Sequence, residues 1–172
     1  MPDAKNAAEW VHHWRDEADA AGVTIGVNVE TGEVGPVVGN PAELREVLVN
    51  LILNAVDAMP KGGILTITTE SIPDSRSPTA VVVRAADTGV GMTEEVRKRF
   101  FEPFFTTKAG RGTGLGLSVA YGIVTRHGGE ISVESREEKG SVFTIRLPVG
   151  EGAPADADAL LPLEPVGPFA SW

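Results

Sequence analysis

Val47-Leu48-Val49-Asn50-Leu51-Ile52-Leu53-Asn54-Ala55-Val56 is an apolar run interrupted only by two asparagines. Asn40-Pro41 stands before it and Pro60-Lys61-Gly62-Gly63 after it. An Asn cap, a proline at the first helical position and a Pro-Gly stop predict one long helix over residues 40–59. At 100° per residue, Glu43, Glu46, Asn50, Asn54 and Asp57 fall within about 80° of one another. Leu44, Leu48, Leu51, Ala55 and Met59 are expected on the core side, with Val47 and Leu53 framing the polar one. Carboxamides in such surroundings are costly unless satisfied. A solvated face or an inter-helix hydrogen bond would satisfy them. So would ligation of a hard cation such as Mg²⁺, which takes oxygen ligands and brings substrate phosphates with it.

Outward from this helix the pattern is mixed. Asn6 and Glu9 resemble a capping box for a helix over residues 6–22, with Trp10, Val11 and Trp14 on its apolar side. Residues 23–29 alternate as a half-buried strand, and a short strand is expected near 34–38. Downstream, residues 64–71 and 79–86 read as strands around a polar loop at 72–78. Thr93 opens a short helix, residues 115–127 form another, and 130–136 with 141–147 make a hairpin. Residues 1–5 read as a lead, 6–149 as one domain, and 150–172 as a Pro- and Ala-rich linker or disordered tail. The order predicts an α+β fold: a mixed, mainly antiparallel sheet with helices on one face. Strict βαβ alternation is missing, which disfavours a dinucleotide-binding fold.

Three further stretches carry chemistry. Asp87-Thr88-Gly89-Val90-Gly91-Met92 follows a β-rich run. A carboxylate at a strand end can accept from an exocyclic amine, and glycines let the backbone approach a flat base; a plain Asp-X-Gly turn has the same letters. Phe100-Phe101-Glu102-Pro103-Phe104-Phe105-Thr106-Thr107-Lys108 holds four of the six phenylalanines without periodicity, as a flap pinned by aromatics would. Residues 97–111 carry five basic side chains against one acid. Gly110-Arg111-Gly112-Thr113-Gly114-Leu115-Gly116-Leu117 runs into a helix. Alternate glycines there free backbone amides for an anion, and the helix start adds its dipole. No Gly-Lys-Ser/Thr closes that loop, so it is not a Walker A loop, and a glycine-rich surface loop also fits.

Together, in this order and spacing, the four stretches resemble the N, G1, F and G2 boxes of the ATPase superfamily shared by histidine kinases, gyrase, mismatch-repair ATPases and heat-shock chaperones. The resemblance covers roughly residues 8–147. It implies a two-layer α/β sandwich of the Bergerat type with a flexible ATP lid. It marks Asn50 and Asn54 as catalytic positions, with Asn54 the Mg²⁺ ligand. It places Asp57, Ala58, Asp87, Gly89, Gly91, Met92 and Phe101 around ATP, with Asp87 receiving the adenine amine. Thr106, Thr107, Lys108, Arg111, Gly112, Thr113, Gly114, Leu115, Gly116 and Leu117 would belong to the lid and the phosphate site. Thr144 matches a position that backs adenine through water. Hydrolytic members carry a water-activating glutamate one turn before the Mg²⁺-binding Asn. Here Asn50 stands there, and an amide cannot act as a general base. That implies a phosphoryl donor of the histidine kinase branch, and the Phe-rich box resembles the nitrogen-regulatory subgroup.

The implied partners are a dimerisation domain carrying the phosphoacceptor His and, through the full-length kinase, a response regulator. His12 and His13 lie beside Trp14-Arg15, not an acid, and His127 precedes Gly128-Gly129 at a helix end; all three read as structural. The alternatives are an anti-sigma-type serine kinase or binding module, and an ATPase of the same superfamily. A net charge of −9 disfavours a nucleic-acid surface. No apolar run reaches the ~18 residues of a membrane span. Without cysteine there are no disulfides, which suits the expected cytoplasmic setting.

Overall fold

The computed structural model describes residues 24–72, 80–106 and 114–149. The helix expected over 6–22 with His12 and His13, most of the loops at 72–78 and 109–114, and the tail from 150 lie outside the described residues. Among the described residues are five strands, β1 (Ile25–Thr31), β2 (Gly63–Ile72), β3 (Ala80–Asp87), β4 (Glu130–Arg136) and β5 (Gly140–Pro148), and three helices, α1 (Pro41–Ala58), α2 (Glu94–Arg99) and α3 (Gly116–Arg126). One sheet runs β1-β2-β3-β5-β4. Its β1–β2 pair is parallel and every other pair antiparallel. A parallel pair needs a crossover, and α1 supplies it.

The register sorts side chains into rows. Ile67, Ala85, Phe143 and Val133 form one, and Thr69, Val83, Ile145 and Ile131 the next. Both rows face the helices, where Leu51, Ala55, Ala120, Ile123 and Val124 complete the core. At one end of the sheet the same face continues as Leu65, Asp87, Ser141 and Ser135. The core row thus turns polar where β3 ends.

Asn40 caps α1 by accepting from the Ala42 N–H at 2.9 Å, and Pro41 takes the first helical position. The buried stripe of α1 is Val47, Leu51, Ile52 and Ala55. Val47, expected to frame the polar face, is in the core, while Leu44 and Leu48 are only partly buried. The stripe turns because α1 packs against α3 as well as the sheet. The strand expected at 34–38 reduces to a single bridge between Val37 and Val149.

His127 ties the two long helices together. Its Nε2 accepts from the Asn40 N–H at 3.0 Å, which obliges Nδ1 to carry the proton it shares with the Ile123 carbonyl at 2.8 Å. Arg126 reaches Glu43 at 3.4 Å beside it. The structural reading of this histidine fits these bonds. His127→Ala leaves the Asn40 N–H unpaired, while the Ile123 carbonyl keeps the backbone N–H of residue 127, so a stability loss of about 1–3 kcal/mol is expected in denaturant unfolding.

Candidate functional site

The site begins where β3 runs out. Asp87 is 7% exposed, and its Oδ1 accepts from the Gly89 N–H at 2.9 Å and the Ser141 N–H at 3.3 Å. Burial pushes its carboxyl up to about 6, against the pull of those two amides. The loop that follows is fixed at both ends. Thr88 Oγ1 accepts from the Ile64 N–H at 2.9 Å, and Val90 donates to the Ala58 carbonyl at 2.9 Å. Glu138 donates to the Val90 carbonyl at 2.7 Å. Gly91 has φ +65°, and a Cβ there would lie 2.7 Å from the Arg136 carbonyl carbon, so only glycine fits.

One face of α1 runs past this loop toward the start of α3. Ala58 touches Gly89 so closely that a Cβ there would lie 2.7 Å from the Ala58 carbonyl carbon. One turn earlier, Asn54 Nδ2 donates to the Asn50 carbonyl at 2.9 Å. This holds the amide nitrogen back along the helix, and Oδ1 has no hydrogen bond among the described residues. One turn earlier again, Asn50 Oδ1 lies 2.8 Å from where a Cβ on Gly116 would sit. Residues 50, 54 and 58 are therefore a stripe about 12 Å long. It has a buried carboxylate at one end and the first turn of α3 at the other. That helix begins at Leu115 without a side-chain cap, so its first amides face outward unpaired by any capping side chain.

The Phe-rich segment closes the side. Phe100 packs on Phe143 with centroids 5.5 Å apart, and Phe101 on Tyr121 at 5.6 Å. Arg99 lies over the Phe105 ring at 4.4 Å. Phe104 is 75% exposed with φ +65°, and its N–H donates to the Gly114 carbonyl at 3.0 Å. The two feet of the intervening loop are thereby joined. Within the cationic stretch, Lys98 pairs with Glu94 and Arg99 with Glu102.

The structure brings Asn50, Asn54, Ala58, Asp87, Gly89, Gly91 and Gly116 to one groove. Met92 and Phe101 pack beside it against the core. Asp57 is exposed on the last turn of α1, and Thr106 is exposed at the foot of the loop. Gly114 and Leu115 form the other foot. Leu117 turns its side chain into the core, so only its backbone amide remains for a ligand. Thr107, Lys108, Arg111, Gly112 and Thr113 lie outside the described residues.

Thr144 is a correction. It pairs with Arg84 and Ser132 on the sheet face away from the helices. Side chains alternate along a strand, so a residue three positions from Ser141 is about 10 Å away and on the other face. The β5 residue beside Asp87 is Ser141. Sequence reasoning also missed Gly140 and Thr88; the glycine between two strand-like runs was the available signal for the first.

Residues 39–151 match the family described as histidine kinase-, DNA gyrase B- and HSP90-like ATPase. Sporulation kinase E of Bacillus subtilis (strain 168) is 45% identical over 121 residues, covering 70% of this chain and 16% of that protein. The catalytic domain of histidine kinase ThkA aligns with a TM-score of 0.71 at 32% identity, covering 86% of this chain and 93% of that one. Full-length ShkA in complex with AMPPNP aligns with a TM-score of 0.69 at 26% identity, covering 83% of this chain and 29% of that one. The chain spans under a quarter of the length of such curated relatives.

Proposed function

Because this chain belongs to the family of histidine kinase-, DNA gyrase B- and HSP90-like ATPases, we propose that it is the ATP-binding catalytic domain of a sensor histidine kinase. The observation that carries the reading is the stripe on α1. It sets a base-recognising carboxylate at one end, an amide oxygen in the middle and an open helix start at the other. Asp87 accepts the exocyclic amine of adenine through Oδ2, since Oδ1 is taken by two backbone amides. The first amides of α3, from Gly116, hold the phosphate chain with the helix dipole. ShkA, a structural neighbour, is described with bound AMPPNP, which supports a nucleotide in this groove.

Magnesium fits the same stripe. Asn54 offers a hard oxygen on an amide whose nitrogen already donates to the Asn50 carbonyl, and among the described residues no cluster of His, Cys, Asp and Glu competes as a metal cage. Bound through Asn54 and the phosphates, the ion would neutralise charge as the γ-phosphoryl group leaves. Asn50 cannot take a proton from water, so the domain holds ATP without spending it on hydrolysis. A histidine on a dimerisation helix, in the same parent chain or its partner, is the acceptor, and a response regulator receives the group afterwards. His127 is not that acceptor, because both its nitrogens are bonded within the fold. No described helix is long and apolar enough to cross a membrane. A domain that draws on ATP is expected on the cytoplasmic side.

The test mixes this chain with the helical hairpin of its parent protein and radiolabelled Mg-ATP. Acid-labile label on the hairpin histidine, with steady-state phosphate release at least about tenfold slower than transfer, is expected; each tenfold is about 1.4 kcal/mol of barrier. Label on serine, or release of phosphate without an acceptor, overturns the kinase reading.

A further inference from the structure

Among the described residues, Asp87 is the most buried Asp or Glu. Its hydrogen bonds are lopsided. Oδ1 accepts from both Gly89 and Ser141, and Oδ2 has no partner among the described residues. The side chain lies in the row of Leu65, Ser141 and Ser135, under Ala58 and Thr88. Asp57 on α1 and Arg136, Glu137, Glu138 and Lys139 at the β4–β5 turn are the charged groups nearby in the chain, and all five are exposed. None contributes to the state of Asp87, which is set by burial and the two amides.

We propose that Asp87 is a protonation-controlled base selector: ionised, its Oδ2 accepts from a 6-amino purine, and protonated, its Oδ2–H donates to a 6-oxo purine. The inference rests on the reading that Asp87 faces the base. The hydrogen-bond pattern decides where the proton goes. With the lone pairs of Oδ1 facing two N–H donors, a proton settles on Oδ2, the oxygen turned toward the ligand. An ionised carboxylate only accepts, and matches the amine at C6 of adenine. The neutral acid presents a donor at the same point and matches the carbonyl at C6 of hypoxanthine or guanine. A site built around one polarity rejects the other because a desolvated group is left unpaired. Burial has already pushed this carboxyl to about 6, so the change falls within mild acidity. Binding of adenine must then release a proton below that point, and its affinity falls by up to about tenfold per pH unit.

The experiment is calorimetry with Mg-ADP and Mg-IDP from pH 5 to pH 8, on the wild-type chain and on Asp87→Asn. Both ligands carry the same diphosphate, so phosphate titration cancels in the ratio of their affinities. The ADP preference follows the ratio of ionised to neutral Asp87, so it is expected to fall by up to about 300-fold between pH 7.5 and pH 5, about tenfold of it from weaker ADP binding. In Asp87→Asn, whose amide N–H₂ is a permanent donor, the ratio is expected to be low and independent of pH. ADP binding with a pH-invariant ratio in the wild type overturns this inference and leaves the base reading standing. ADP affinity unchanged by Asp87→Asn, or no ADP binding at pH 8, overturns the base reading itself. Should the variant fail to fold by circular dichroism, the wild-type ratio alone decides.

Discussion

Gly140→Ala is expected to abolish measurable nucleotide binding and to destabilise the fold by roughly 3 kcal/mol or more, the sum of a left-handed backbone penalty and an overpacked contact. Gly140 has φ +82°, and a Cβ on it would lie 2.8 Å from the Asp87 carbonyl carbon and 3.0 Å from Thr88 Cα. Neither partner can retreat. Thr88 is paired in both directions with Ile64, its N–H donating at 3.2 Å and its hydroxyl accepting at 2.9 Å. Val90 is held between the Ala58 carbonyl and the Glu138 N–H. The turn must therefore move away, taking with it the adjacent Ser141 N–H that orients Asp87. Titration with Mg-ADP should show affinity reduced more than about 100-fold, or 2.7 kcal/mol. Gly122→Ala is the control. It sits on α3 with only Arg126 Nη1 in reach, at 3.7 Å, so alanine there should leave binding unchanged. Equal binding by Gly140→Ala and wild type would show that the β4–β5 turn does not position the base site.

The contrast between Gly140 and the α1 asparagines marks how far the sequence could be read. The cap at Asn40, the helix and the alternation of polar and apolar positions are local, and local chemistry fixes them within a turn. The Asp87–Gly91 loop was legible for the same reason: an acid at a strand end followed by spaced glycines is a short-range pattern. What failed was non-local. Thr144 was assigned by likeness to a motif, but its place depends on how β5 registers against β3, and an odd offset flips the face. The contacts of Gly140 and Ser141 with Asp87 join residues more than fifty positions apart, and no spacing in the chain encodes them. Val47 entered the core because α3 packs on a second side of α1, a fact of tertiary packing that helical periodicity does not carry.

Asn54→Ala is expected to remove the magnesium dependence of nucleotide binding and to slow phosphoryl transfer by about 100- to 1,000-fold, the range seen when one stabilising group at developing charge is lost. The prediction turns on which half of the amide faces the groove. Nδ2 is committed to the Asn50 carbonyl one turn back. Oδ1 is then the atom offered outward, midway along the stripe between Asn50, beside Gly116, and Ala58, beside Gly89. Removing it takes away the ion's protein ligand but touches neither the buried carboxylate nor the start of α3. Binding of ADP in EDTA should therefore match wild type, while the gain on adding Mg²⁺ disappears. Stability should change by less than about 1 kcal/mol, because the lost bond lies on a partly exposed helix face. Calorimetry with and without Mg²⁺, followed by the transfer assay, separates these effects. A variant that keeps its full magnesium gain would move the ion to another ligand. One that loses ADP affinity equally in EDTA would make Asn54 a wall of the base pocket and not a metal ligand.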